Sequence, residues 1–121
     1  MTAPQHPIYT LKADFLRVLG HPKRVRILEM LQQGERAVGD LQAQLGLDSS
    51  GASQHLGALR RIGIVDGRRE GSSVFYGVRD PRVFELLAVA RAIVTSSIEH
   101  SHTLLEGMDD VDEVEPRQAA R

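Results

Sequence analysis

The sequence predicts a mainly α fold carrying one small β-hairpin, and three features of the chain predict it. Apolar residues recur at three- and four-residue intervals in five separate segments, the spacing of a helix with one buried stripe. Two β-prone runs, Ile64-Val65 and Val74-Phe75-Tyr76-Gly77-Val78, flank a turn containing Gly71 and mark a hairpin. Aromatic residues make up only 4% of the chain and Trp is absent, so the core falls to Leu, Val, Ile and Ala, which suits helices packed on helices. With 121 residues there is room for one domain, and a core that small favours association as a further source of burial.

The first helix is expected over residues 11–19, with Leu11, Phe15, Leu16, Val18 and Leu19 apolar and Gly20 ending it. His21-Pro22 opens the second, because proline at a first-turn position lacks only an N–H that has no helical acceptor. Val25, Ile27, Leu28, Met30 and Leu31 form its apolar face, and the polar run 32–35 ends it. A third, shorter helix runs from Val38 through Leu41 to Leu45, closed by Gly46 as a left-handed cap. The fourth begins after Asp48-Ser49-Ser50, any of which can cap exposed N–H groups with a side-chain oxygen. Its inward stripe is Ala52, Leu56, Leu59 and Ile62, which leaves Ser50, Gly51, Ser53, Gln54, His55, Ala58 and Arg61 largely outside. Gly63 stops it, the hairpin follows, and Asp80-Pro81 opens a long fifth helix. There Val83, Leu86, Leu87, Ala90, Ile93, Val94, Ser97, Ile98, Leu104 and Leu105 recur over roughly six turns. A helix this long and this apolar needs a partner.

Charge is unevenly placed along the chain. The net charge is −1, but up to Leu105 there are 13 Lys and Arg against 10 Asp and Glu, and from Glu106 onward 2 against 6. The chain therefore divides into a flexible arm at 1–10, a mildly basic domain at 11–105 and an acidic, disordered tail at 106–121. There are no cysteines, which excludes disulfides, thiolate metal sites and a cysteine nucleophile. The polar start, with Pro4 and Pro7, has no secretory h-region, and no apolar run reaches the roughly 18 residues of a membrane span. The expected location is the cytoplasm.

The order ααααββα, with the third and fourth helices joined by the short 46–50 connection, is that of a winged helix-turn-helix. A polar-fronted helix followed by an Arg-rich hairpin points to double-stranded DNA as the partner, since the two elements engage adjacent grooves. At this point the residues resemble a known family. The run Phe15-Leu16-Arg17-Val18-Leu19-Gly20-His21-Pro22-Lys23-Arg24-Val25-Arg26-Ile27-Leu28-Glu29-Met30-Leu31 is similar to the N-terminal signature of the ArsR/SmtB winged-helix repressors. Ser53-Gln54-His55-Leu56-Gly57-Ala58-Leu59-Arg60-Arg61-Ile62-Gly63-Ile64-Val65 and the wing Arg68-Arg69-Glu70-Gly71-Ser72-Ser73-Val74-Phe75-Tyr76 likewise resemble that family. The resemblance spans 11–105 in unbroken order. It implies a homodimer built from the first and last helices, with Leu11, Phe15, Leu86, Leu87, Ala90, Ile93, Val94 and Ile98 as interface residues. It also implies binding to palindromic operator DNA, release by an inducer, and repression of the protein's own or a neighbouring operon.

The same resemblance puts Ser50, Ser53, Gln54 and His55 where the recognition helix meets the major groove. Gln bonds adenine bidentately, and Ser and His reach base edges or phosphates. Ser50 is equally suited to capping its own helix. Arg60 and Arg61 lie at the far end of that helix, as a phosphate clamp or as complements to the helix C-terminus. Arg68 and Arg69 flank a wing tip that suits the negative potential of the minor groove, although Glu70 beside them argues against a purely electrostatic wing. Among Lys23, Arg24 and Arg26, at least one is expected to be structural or phosphate-facing.

No cofactor is firmly implied. Many relatives of the type described sense metals, but Val38-Gly39-Asp40-Leu41 stands where their cysteines are needed. The alternative carboxylate-histidine pattern begins at Asp80 and is then broken by Arg82 and Ile93 in the histidine places. A divalent-metal response through nickel, zinc or cobalt is left to His100, His102 and Glu106, with His6 of the arm; His102 and Glu106 are i, i+4 on one helical face. A winged-helix module binding protein rather than DNA is a further alternative, favoured by the acidic tail and near-neutral charge. An enzyme is not expected, because no catalytic motif or paired acid and base is present.

Overall fold

Five helices form where apolar spacing puts them. The computed structural model describes residues 7–107, in the order α1 (Ile8–Leu19), α2 (Pro22–Leu31), β1 (Arg36–Ala37), α3 (Val38–Leu45), α4 (Ser49–Arg61), β2 (Val65–Glu70), β3 (Ser73–Val78) and α5 (Arg82–Gly107). Helix α1 begins three residues before the first residue of the expected stripe, so Ile8, Tyr9 and Thr10 of the expected arm are helical. His6 and most of the acidic tail lie outside the described residues.

Helix ends follow the chemistry of their residues. His21 caps α2, its Nδ1 accepting from the Lys23 amide at 3.1 Å, with Pro22 at the first helical position. Gly46 ends α3 at φ 64, a left-handed conformation that a side chain at this position would strain. Asp48 caps α4 by accepting from the Gly51 amide at 2.6 Å. The cap therefore belongs to Asp48 and not to Ser50, which is left exposed on the first turn.

The hairpin is longer than its apolar residues alone suggest, and a third strand joins it. β2 and β3 pair antiparallel from Val65 opposite Val78 to Glu70 opposite Ser73, leaving the two-residue turn Gly71-Ser72, with Gly71 at φ 64. β1 pairs with β3 on its other edge, Arg36 opposite Tyr76 and Ala37 opposite Phe75, so the sheet order is β1-β3-β2. A two-residue strand carries no periodicity, and its pairing partner is distant in sequence, which is why sequence reading omits it.

The core gathers Ile27, Leu28 and Leu31 of α2, Leu41 and Leu45 of α3, Leu56, Ala58 and Leu59 of α4, Ile64 and Val65 of the hairpin, and Val18, Leu19 and Val83. Ala58, expected outside the α4 stripe, is buried at 5% exposure. The reason is that α4 packs against α1, α2, α3 and β2, so more than one of its faces is covered. The chain divides after Leu87 into two compact units, and the second consists of the remainder of α5 onward. Within that second unit Val89, Ile93, Val94, Ile98, Leu104 and Leu105 are exposed.

Candidate nucleic-acid interface

Helix α4 is held by burial on one side and carries polar side chains on the other. Ala52, Leu56 and Leu59, at 1%, 2% and 0% exposure, anchor it. Ser50, Ser53 and Gln54 on the first two turns are exposed, and among the described residues their side chains make no hydrogen bond to the protein. Three groups able to donate and accept thus stand at the N-terminal end of a rigid helix, which is the end that meets base edges in helix-turn-helix proteins. Arg60 and Arg61 are exposed in the last turn, without an ion pair among the described residues. They complement the carbonyl end of α4 and stand available to an anion.

His55 has a different environment. It is half-buried, its Nδ1 accepts from the Arg24 Nε–H at 3.1 Å, and its ring lies 4.4 Å from that of His21 at a 54° tilt. Arg24 also donates to the Val18 carbonyl at 3.1 Å, while Lys23 Nζ donates to the Leu45 carbonyl at 2.8 Å. Lys23 and Arg24 are therefore structural: one closes the end of α3, the other ties α1 and α2 to the middle of α4. Burial holds the His55 pKa below its ordinary value, and the neighbouring His21, Arg24 and Lys23 lower it further. The neutral imidazole has its proton on Nε2, because Nδ1 is occupied as an acceptor. Sequence reading missed the Arg24 to His55 bond; the signal was the basic cluster directly after a capping histidine, which spacing alone does not connect to a helix 31 residues away.

The two wing arginines are likewise unlike one another. Arg68 donates through Nη2 to Glu35 Oε1 at 2.7 Å and through Nη1 to Glu70 Oε1 at 2.9 Å, and its guanidinium lies 5.2 Å from the centre of the Phe75 ring. The Arg68 hydrogen bond keeps the Glu35 carboxyl below the usual carboxylate range, and the paired carboxylates raise the Arg68 pKa in turn. Arg69 is exposed and makes no ion pair among the described residues. Both arginines lie within β2 rather than in the turn.

The remaining candidates divide by position. Asp80 accepts from the Arg82 side chain at 2.6 to 3.2 Å and from the Arg82 amide at 3.0 Å, which depresses its pKa to about 2. That carboxylate is committed to an arginine and to the start of α5. In the second unit His102 Nδ1 and Glu106 Oε2 stand 4.0 Å apart, and both side chains are exposed, as is that of His100. Among the described residues no three histidine or acidic side chains gather as a metal would require. Of the expected interface residues, Leu11, Leu86, Ala90, Ile93, Val94 and Ile98 are exposed, whereas Phe15 and Leu87 are partly buried against the core of their own chain. Ile8, Tyr9 and Leu16 extend the exposed apolar surface of α1. No helix among the described residues is long and apolar enough to cross a membrane.

A helix-turn-helix with a polar recognition surface, followed by a hairpin bearing arginines, defines the winged-helix class of transcriptional regulators. Comparison with known proteins gives the particular family. Residues 21–66 match the model of the bacterial regulatory proteins of the arsR family. The chain is 45% identical over 103 residues to the uncharacterized HTH-type transcriptional regulator Rv0081 of Mycobacterium tuberculosis, covering 84% of this chain and 90% of that one. The crystal structure of Rv0081 superposes with a TM-score of 0.74, covering 80% of this chain and 98% of that chain. The biofilm growth-associated repressor of Agrobacterium fabrum is 41% identical over 81 residues, covering 67% and 69%. The solution structure of the homodimeric winged helix-turn-helix DNA-binding domain Mb0332 of Mycobacterium bovis is 31% identical, with a TM-score of 0.69 and coverage of 82% and 95%. This chain belongs to the ArsR family of bacterial transcriptional regulators.

Proposed function

We propose that the protein acts as a homodimeric repressor that binds a palindromic operator in double-stranded DNA. The observation that carries this reading is the exposed trio Ser50, Ser53 and Gln54 on the first turns of a helix whose other faces are buried. In this reading Gln54 and Ser53 read base edges, Ser50 contacts a phosphate near the helix N-terminus, and Arg60 and Arg61 clamp the backbone. His55 offers only its Nε2–H, as a donor, and the arginine-bearing wing lies along the flanking groove. The exposed apolar residues of α1 and α5 support a second copy of the chain as the partner that covers them, Leu11, Leu86, Ile93, Val94 and Ile98 among them.

Repression follows from geometry and charge. Two recognition helices at a spacing of about 34 Å match successive major grooves on one face of the duplex, and a dimer seated there blocks polymerase. The test is nuclease footprinting of the purified chain on the DNA upstream of its own gene. A two-fold symmetric protected patch is expected, and competition by scrambled duplex should be weak. Uniform protection, or equal competition by operator and scrambled DNA, overturns the reading.

A further inference from the structure

The two wing arginines have different tasks, and the path of Glu35 shows why. Glu35 precedes β1, and continuing the β1-β3 register places it opposite Gly77, on the far side of β3 from Arg68. To reach Arg68 its side chain crosses β3 above Gly77, where an added Cβ would stand only 3.0 Å from Glu35 Cγ. The missing side chain at Gly77 is the space the carboxylate passes through. Glu35 and Glu70 then occupy both terminal nitrogens of the Arg68 guanidinium, and Phe75, the cross-strand partner of Arg68, lies beneath it. A single exposed ion pair contributes little. This one differs in linking β2, across β3, to the residue that precedes β1 through a planar fork with both ends filled, which is the arrangement arginine holds best.

Arg69 alternates to the opposite face of the ribbon, beside Val74, and carries its charge without a carboxylate partner among the described residues. We infer that Glu35, Gly77 and Arg68 form a strap that positions the wing, and that Arg69 alone supplies the wing's cation to DNA. The second half of this inference rests on the DNA-binding reading; the first half does not.

Two measurements on the full chain test it. The first is affinity for a labelled mixed-sequence duplex of about 30 bp across a range of salt, where each lost phosphate contact lowers the slope of log affinity against log salt by about 0.9. Arg69→Ala is expected to lower that slope, and Arg68→Ala to leave it at the wild-type value. The second is amide hydrogen exchange of residues 65–78 without DNA, which Arg68→Ala and Glu35→Gln should both accelerate and Arg69→Ala should not. An equal loss of slope in Arg68→Ala overturns the assignment of the DNA contact. Unchanged hairpin exchange in Glu35→Gln overturns the strap. A wild-type chain without salt-dependent duplex binding removes the DNA reading and the Arg69 role with it, while the exchange result still decides the strap.

Discussion

At the scale of single residues, the proposed base readers and the structural supports are different side chains of the same helix. Gln54 is exposed and its side chain makes no hydrogen bond among the described residues, so replacing it should remove the proposed base contact and leave the fold intact. Gln54→Ala is expected to weaken operator binding by about 5- to 150-fold, the equivalent of one bidentate base contact at about 1–3 kcal/mol. Affinity for scrambled duplex and the melting temperature should stay as in the wild type, as fluorescence anisotropy and thermal unfolding would report. His55 belongs with the supporting residues, because its Nδ1 is held by Arg24 and its ring by His21. Its pKa is depressed in the fold below 6.5, so the folded state takes up its proton less readily than the unfolded chain. The stability it contributes is complete above pH 6.5 and is lost as the pH falls through the lower folded value. Urea titrations between about pH 5 and pH 8 should therefore show stability falling toward acid, and His55→Gln should flatten that slope. An unchanged pH slope in the variant would detach His55 from the effect. Residue types alone marked His55 as polar and outward; they could not show that a basic residue in another helix takes its acceptor, since that contact exists only once α2 crosses α4.

At the scale of elements, caps and stripes were readable because they are local. Pro22, Gly46 and Gly63 bounded their helices as proline and glycine chemistry requires, and Gly46 has the left-handed φ of 64 expected of it. Residue chemistry offers three neighbouring caps for α4, Asp48, Ser49 and Ser50, and backbone geometry selects Asp48 among them. Asp48→Ala is accordingly expected to cost about 0.5–2 kcal/mol of stability, with Ser50→Ala close to neutral. Chemical denaturation of the two variants tests this order, and a larger loss from Ser50→Ala would reverse the cap assignment. What remained hidden was non-local. β1 is two residues long and exists through its pairing with β3, and Ala58 is buried because α4 has several neighbours. The Arg68 strap likewise joins residues 33 positions apart, a separation over which no sequence spacing rule operates.

At the scale of the whole molecule, the exposed apolar residues of α5 call for association. The second unit alone exposes Ile93 at 63% and Val94 at 56%, alongside Val89, Ile98, Leu104 and Leu105, a run of apolar surface that a solvated helix does not retain without a partner. Ile93→Asp with Val94→Asp should convert the proposed dimer to a monomer, as read by light scattering coupled to size exclusion. Operator affinity should fall with it, because two half-sites no longer bind as one unit. A double variant that stays dimeric would move the interface elsewhere. In the proposed complex two copies present two α4 helices to one duplex, which selection of bound sequences from a randomised duplex pool by the full chain would reveal. The expected result is enrichment of an inverted repeat whose half-site centres lie about 10 bp, or a multiple of that, apart. Enrichment of a solitary, asymmetric site, or no enrichment at all, would contradict it.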